Sequence, residues 1–289
     1  MRIAVLGTGL MGFPIARRLC EAGHQVSAWN RSRDKAERLR ANGARVAERP
    51  ADAVRDAEIV VGMLENGRVM DEVLFAQGAA DAIPAGALVI DMASTRPAEA
   101  RSQAGRLAQR GVAHLDAPVS GGTVGAENGT LAIMVGGEAA DVARAAPVFD
   151  CLGRVTHVGG HGAGQTAKLA NQMIVGITIG AVAEALLFAE RGGADMAKVR
   201  EAISGGFASS RVLELHGQRM VERDFVKRAA MTVQLKDMRN ALATAQEIGF
   251  DAPICTLFER LYADGVEHGD ADLDHSGLFM ELARRNGMT

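Results

Sequence analysis

The sequence predicts an α/β N-terminal domain followed by an all-α domain, the two joined by a long apolar helix. Three observations carry this reading. Short apolar runs of strand length recur through the first half, closed by polar or glycine-rich turns and separated by helical segments, the alternation that builds a parallel sheet. A glycine cluster over 159–164 then interrupts the chain. Beyond it every patterned segment has helical spacing, and the first of these lacks a clear polar side.

Arg2–Leu6 reads as the first strand. Gly7-x-Gly9-x-x-Gly12 follows at once, then a helix over Phe13–Ala22 stopped by Gly23, then a strand over His24–Trp29. Strand, glycine turn, helix and strand within about 30 residues mark a Rossmann-type dinucleotide-binding unit. Gly7 permits the tight turn, Gly9 lets the backbone approach a pyrophosphate, and Gly12 lets the helix pack close. The loop Gly7-Thr8-Gly9-Leu10-Met11-Gly12 is therefore the candidate phosphate cradle, with the positive end of the helix behind it. The residues after the second strand select the cofactor. An acidic residue there binds the ribose of NAD, but this chain has Asn30-Arg31-Ser32-Arg33 and no carboxylate before Asp34. Asn30 can bond the ribose, Arg31 can pair with a 2′-phosphate and Ser32 can donate to it. The expected cofactor is NADP(H), with NAD(H) as a second choice.

Ile59–Leu64 and Ala87–Asp91 read as further strands, ending in Glu65-Asn66-Gly67 and Met92-Ala93-Ser94-Thr95. In such sheets the ligand lies across the carboxyl ends of the strands, which nominates Met63, Leu64, Ser94 and Thr95 as cofactor neighbours. A helix over Pro97–Arg110 leads to His114–Pro118 and then Val119-Ser120-Gly121-Gly122-Thr123. Ser120, Gly121 and Gly122 offer one hydroxyl and bare backbone N–H groups, a receptor for a substrate carboxylate. Val155–Val158 precedes the glycine cluster, so the domains are placed at 1–163 and 164–289.

The second domain opens on Gly164-Gln165-Thr166-Ala167-Lys168-Leu169-Ala170-Asn171-Gln172. On a helix Lys168 and Asn171 share one face, one turn apart. A lysine at the mouth of a buried helix is costly unless it has a partner or a task, which makes Lys168 the candidate proton carrier. This helix should run from about Gly164 to about Arg191, with Gly176 and Gly180 spaced for close packing. Helices are then expected over Asp195–Ser204, Ser210–Arg223, Val233–Gly249, Pro253–His268 and Ser276–Arg285. A helix apolar all round needs partners on every side, so a homo-oligomer, dimer or tetramer, is expected.

Composition excludes several classes. The chain of 289 residues is 48% hydrophobic and 23% charged with net charge −3, ordinary for a globular protein. No basic block is interleaved with aromatics, so nucleic acid is not an expected partner. Cys20, Cys151 and Cys255 lie far apart without metal-ligand spacing, which argues against a disulfide framework or zinc site and suits a reducing cytoplasm. The apolar N-terminus breaks into Gly7 without a signal-peptide cleavage pattern. The charge-free stretch Leu169–Ala183 is shorter than the roughly 20 residues a membrane span needs, so a buried helix is expected. The histidines show no ligand spacing and read as turn or surface residues, His275 as part of a cap on the last helix; no metal site is expected.

Four segments in this order resemble the β-hydroxyacid dehydrogenase family related to 3-hydroxyisobutyrate dehydrogenase, over essentially the whole chain: Gly7–Gly12, Asp116-Ala117-Pro118-Val119-Ser120-Gly121-Gly122, Gly164–Gln172, and Lys236-Asp237. Gly205–Glu214 and Leu273-Asp274-His275-Ser276 resemble the members that reduce tartronate semialdehyde. The resemblance implies Lys168 as catalytic acid/base with Asn171 beside it, and Ser120, Gly121 and Gly122 on the substrate carboxylate. It also implies Lys236 near cofactor and substrate, and Ser94 near the nicotinamide. The activity implied is NAD(P)H-dependent reduction of a short carboxylated semialdehyde, with 3-hydroxyisobutyrate, L-serine, glyoxylate or succinic semialdehyde as alternative substrates. A non-catalytic nucleotide-binding scaffold is the alternative from another class. Glu65, Ala93 and Arg96 depart from the usual family pattern around the cofactor.

Overall fold

Nine strands of the computed structural model join in one sheet, which forms the first of two units, Met1–Lys168. The structure describes residues 1–288. In chain order this unit contains β1 (Arg2–Leu6), α1 (Gly12–Glu21), β2 (Gln25–Trp29), α2 (Arg33–Glu37), β3 (Arg45–Val46), α3 (Pro50–Val54) and β4 (Ile59–Gly62). It continues with α4 (Gly67–Asp71), α5 (Ala79–Ala82), β5 (Leu88–Asp91), α6 (Pro97–Ala108), β6 (Ala113–Asp116) and β7 (Val119–Ser120). It closes with α7 (Gly122–Asn128), β8 (Leu131–Gly136), α8 (Ala139–Phe149) and β9 (Gly153–Gly159). The sheet order is β3-β2-β1-β4-β5-β6-β8-β7, with β9 added on β8. From β3 to β6 every pairing is parallel; β8 then runs antiparallel to β6 and to β7.

The chain reverses direction across the sheet between β1 and β4, so a crevice opens at their carboxyl ends, where Gly7 and Met63 follow directly. Both faces are covered, and the alternation along β1 shows how. Ile3 and Val5 enter one core with Ile15, Leu19, Leu115 and Phe149, while Ala4 and Leu6 enter another with Met70, Leu74 and Leu107.

The second unit, from Leu169 onward, is helical. It holds most of α9 (Ala163–Arg191), then α10 (Met196–Ile203), α11 (Arg211–Glu222), α12 (Met231–Glu247), α13 (Pro253–Gly265) and α14 (Leu278–Arg285). Its core includes Ile179, Ala183, Leu186, Met220, Tyr262, Leu278 and Phe279. A Cβ on Gly176 would meet the Gln234 amide, and one on Gly180 would overlap the Phe258 ring, so both glycines admit neighbouring helices at short range.

The two compact units meet after Lys168, because the first turn of α9 is bound into the sheet domain by contacts described below. Two expectations need revision. The charge-free stretch Leu169–Ala183 lies within a helix of 29 residues that by length and composition alone could cross a membrane. That helix is not buried on all sides, since Ile174 and Phe188 are exposed. Finally, His114 is not a surface residue. It sits inside β6, where burial and then the neighbouring His161 push its pKa down to about 3.

Two glycine substitutions should act in opposite directions on stability. A Cβ at Gly12 would overlap the Gly7 carbonyl oxygen, so Gly12→Ala should cost about 1–3 kcal/mol. Gly105 is exposed in mid-α6 with nothing within 4 Å of an added Cβ, and Gly105→Ala should stabilise by about 0.4–1 kcal/mol. Urea denaturation measures both.

Candidate active site

The glycine loop between β1 and α1 is shaped by backbone, not side chains. Gly7 has φ +98°, and a Cβ there would run into the Met63 carbonyl. Gly9 differs: nothing lies within 4 Å of its virtual Cβ. The space that a side chain there would fill is left open at the start of α1, which no side chain caps. Thr8 is buried, and its Oγ1 has no hydrogen-bond partner. An open backbone cradle, a buried unmatched hydroxyl and an uncapped helix start fit a dinucleotide phosphate.

Asn30 braces this loop. Its Oδ1 accepts from the Thr8 N–H at 2.9 Å and its Nδ2 donates to the Ser32 carbonyl at 3.0 Å. The two cofactor-facing turns are thus tied through one neutral amide. Arg33 is occupied by Glu37 and Glu48, each at 2.9 Å. Arg31 and Ser32 are exposed. Met63 and Leu64 are half-buried after β4, while Leu10 is exposed.

The start of α9 is fastened to the carboxyl ends of β5 and β6 by two buried side chains. Asp116, at the end of β6, accepts from the Gly162 N–H at 2.7 Å and from the Gln165 N–H at 2.9 Å. Burial pushes its pKa up against the lowering effect of these bonds. Gln165 reaches back to β5: its Oε1 accepts from the Thr95 N–H at 2.9 Å and its Nε2 donates to the Ala93 carbonyl at 2.8 Å. It therefore grips both neighbours of Ser94. Lys168 lies one turn beyond Gln165 and is itself 9% exposed. Gly164 is required at this junction, since a Cβ would overlap the Asp116 carbonyl.

The turn Ser120–Gly122 follows β7. Ser120 pairs with Ala132 of β8. Gly121 and Gly122 have φ +134° and +61°, backbone that side chains rarely adopt. Nothing lies within 4 Å of a Cβ on Gly122, so its backbone faces open space. The chain continues directly from this turn into a helix, Gly122–Asn128.

In the helical unit Asn171 and Lys236 belong to one chain of polar contacts. Asn171 Nδ2 donates to Gln172 Oε1 at 2.9 Å, and Gln172 Nε2 donates to Asp237 Oδ2 at 2.7 Å. Lys236 Nζ lies 3.2 Å from Asp237 Oδ1. Gln234 Nε2 adds a bond to the Gln172 carbonyl at 3.0 Å. Asp116, Gln165, Gln172 and Asp237 had no role in the sequence reading, although all four stand inside its motifs; the signal was a polar residue at a buried helical or strand-end position.

One cluster with ligand-like spacing, His216, Asp274 and His275, exists among the described residues. Its carboxylate is already spent on Arg219 at 3.0 Å, the Ser276 hydroxyl at 2.6 Å and the Ala229 N–H at 3.1 Å. A guanidinium on the same oxygen disfavours a cation. Asp274, not His275, caps the short turn before α14, by accepting from the Ser276 N–H. His275 packs edge-on against His216, and burial, then His216, push its pKa down to about 4.

Family comparison agrees with this geometry. Residues 2–160 match the family model for the NAD binding domain of 6-phosphogluconate dehydrogenase, and 162–282 match that for the NAD-binding region of NADP-dependent 3-hydroxyisobutyrate dehydrogenase. The chain belongs to the β-hydroxyacid dehydrogenase family. It is 40% identical to 2-hydroxy-3-oxopropionate reductase of Escherichia coli over 98% of this chain and 97% of that one. It is 35% identical to 3-hydroxyisobutyrate dehydrogenase of Pseudomonas aeruginosa over 96% and 95% of the two chains. Mycobacterium tuberculosis 3-hydroxyisobutyrate dehydrogenase, solved with L-serine, superposes with a TM-score of 0.90 at 30% identity, covering 97% of this chain and 98% of that one. The protein is accordingly an NAD(P)-dependent oxidoreductase acting on hydroxy acids.

Asp91 supplies a pH test of the β5 terminus. Its Oδ1 accepts from the Ala93 N–H at 2.9 Å, its Oδ2 is buried without a partner, and burial raises its pKa to about 7. Between about pH 4 and 7 the folded chain holds a proton that the unfolded chain has released, so this group lowers stability as pH rises through that window. Asp91→Asn keeps the acceptor for Ala93 and should lessen that slope. Its gain in melting temperature over the native chain should be larger at pH 8 than at pH 5.

Proposed function

We propose that this chain reduces a short carboxylated semialdehyde with NADPH, converting tartronate semialdehyde to glycerate. The observation that carries the proposal is the fastening of Lys168 one turn beyond Gln165, the residue that grips both neighbours of Ser94. A nicotinamide beside Ser94 would face that lysine. The Escherichia coli relative, by its name, acts on 2-hydroxy-3-oxopropionate, which supports tartronate semialdehyde as substrate.

The chemistry a reduced dinucleotide supplies when bound is hydride donation to the aldehyde carbon. Ser120 and the backbone N–H groups of Gly121 and Gly122 hold the substrate carboxylate. The Lys168 ammonium gives its proton to the aldehyde oxygen as negative charge develops there, which lowers the barrier because charge meets charge only as it forms. In the reverse direction neutral Lys168 removes the hydroxyl proton. Asn171 supplies a neutral hydrogen bond beside it, and Lys236 a second cationic contact to cofactor and substrate. Gly7, Thr8, Gly9, Leu10, Met11 and Gly12 wrap the pyrophosphate. Arg31 and Ser32 take the 2′-phosphate, with Asn30 holding their turn, while Met63, Leu64 and Ser94 line the path to the nicotinamide. A homo-oligomer, dimer or tetramer, fits an α9 that leaves Ile174 and Phe188 exposed, and a cytoplasmic location fits three free thiols.

Initial rates of NADPH and NADH oxidation with tartronate semialdehyde, methylmalonate semialdehyde, succinic semialdehyde and glyoxylate test the proposal. Fastest turnover with tartronate semialdehyde and NADPH is expected; a preference for methylmalonate semialdehyde would move the assignment to 3-hydroxyisobutyrate. Lys168→Ala should retain NADPH binding and lower kcat by about 10²–10⁴-fold. Arg31→Ala should raise the Kd for NADPH about tenfold or more, the value of a charge-assisted hydrogen bond, and leave that for NADH within about twofold.

A further inference from the structure

Asp91 is the last residue of β5 and is fully buried. In the sheet it stands in register with Asp116 on β6 and with Gly62 on β4. Asp116, Glu99 in α6 and Asp71 in α4 all oppose its ionisation. Asp71 and Glu99 have cations beside them, Arg106 at 2.9 Å and Arg96 at 3.4 Å. Asp116 has two backbone N–H groups and lies within the influence of His161. Among the described residues Asp91 accepts from the Ala93 N–H through Oδ1, and Oδ2 has no partner. A carboxyl out of water, beside a second carboxyl and with one oxygen unmatched, holds its proton up to about pH 7. Its place relative to Ser94 is fixed, because Ala93 donates to Asp91 through its N–H and accepts from Gln165 through its carbonyl.

We propose that Asp91 makes this chain distinguish oxidised from reduced dinucleotide, by giving up its proton to solvent when a cationic nicotinamide occupies the place beside Ser94. This rests on the reading of Ser94 as a neighbour of the nicotinamide. The two redox forms differ in the charge of that ring, which is positive in NADP⁺ and neutral in NADPH. A positive ring gains little from a neutral carboxyl. From a carboxylate it gains an attraction that the protein interior screens weakly. Linkage then couples the two events: NADP⁺ binding draws a proton off Asp91, and NADPH binding leaves it in place. The sign follows. Below the pKa of Asp91 both forms meet a neutral carboxyl, and above it NADP⁺ meets an anion. Preference for NADP⁺ therefore grows as pH rises through neutrality. Hydroxy acid oxidation gains a more tightly held oxidised cofactor at the alkaline end, and aldehyde reduction gains an easier release of it at the acid end.

Lys168 stands beside the same place, and loss of its proton would shift affinity in the same direction. Two variants separate the two groups. The readout is the ratio of the dissociation constants of NADPH and NADP⁺, measured by titration calorimetry from about pH 6 to 8. The ratio cancels ionisation of the 2′-phosphate, which both forms carry, and any general loss of folded protein. Calorimetry in two buffers of different ionisation enthalpy also counts the protons released.

In the native chain the preference for NADP⁺ should rise about 3- to 10-fold over this range, a modest effect of a charge on a nearby carboxyl. Near pH 7, NADP⁺ should release more protons than NADPH does. Asp91→Asn carries a neutral amide at every pH, so its ratio should vary by less than about twofold and match the native value at the acid end. Lys168→Ala should keep most of the native rise. A flat ratio in the native chain, a rise that survives in Asp91→Asn, or one that disappears in Lys168→Ala would overturn the proposal. Failure of the cofactor reading shows itself separately and first, as a native chain that binds neither dinucleotide at any pH.

Discussion

The buried carboxylate of Asp116 is the constraint on which the rest of the site depends. It ends β6 and accepts two backbone N–H groups at the start of α9, so the strand that leads to Ser120 and the helix that carries Lys168 share one anchor. Donors at a helix start otherwise need water or a cap, and here they are matched inside the protein. Gln165 extends the same anchor to the end of β5 through two bonds that no shorter or charged side chain could make together. Three strand-end features, the Ser94 turn, the Ser120–Gly122 turn and the lysine helix, are thus held by two side chains. Their burial costs free energy that the hydrogen bonds offset.

The cofactor half of the site follows a different logic. There the chain withdraws side chains: Gly9 leaves its surroundings open, Gly7 and Gly12 keep loop and helix close, and α1 begins uncapped. Asn30 joins the glycine loop to the ribose-side turn without negative charge. An aspartate in its place could accept from Thr8 but could not donate to the Ser32 carbonyl, and its charge would repel a 2′-phosphate. The same amide thus braces the turn and keeps it compatible with Arg31.

Much of this was legible in the sequence. β1, α6 and α9 begin within a residue of where apolar pattern, Pro97 and the glycine cluster place them, because strand-length runs and helix starts leave local marks. The segment from Gly121 to Phe149 was less legible. No strand or helix was expected there, yet it holds α7, the return strand β8 and α8, and the place of β8 is fixed by pairing with β6, β7 and β9. Such non-local pairing leaves little in a single sequence. The catalytic candidates stood out because lysine is conspicuous in an apolar segment. Their supports did not, because a glutamine such as Gln165 or Gln172 looks like any surface amide until its partners are known. His114 misled for the converse reason, a titratable side chain buried by the sheet without any mark in its neighbours.

The central claim is that Lys168 reaches the reacting oxygen while the Ser120–Gly122 turn holds the carboxylate of the same molecule. A crystal structure of the complex with NADP⁺ and glycerate tests it most directly. The account predicts the Lys168 ammonium within about 2.6–3.2 Å of the glycerate C3 oxygen, and the carboxylate on Ser120 and the adjoining N–H groups. A glycerate carboxylate seated on Lys168, with its C3 hydroxyl directed away from that lysine, would contradict it.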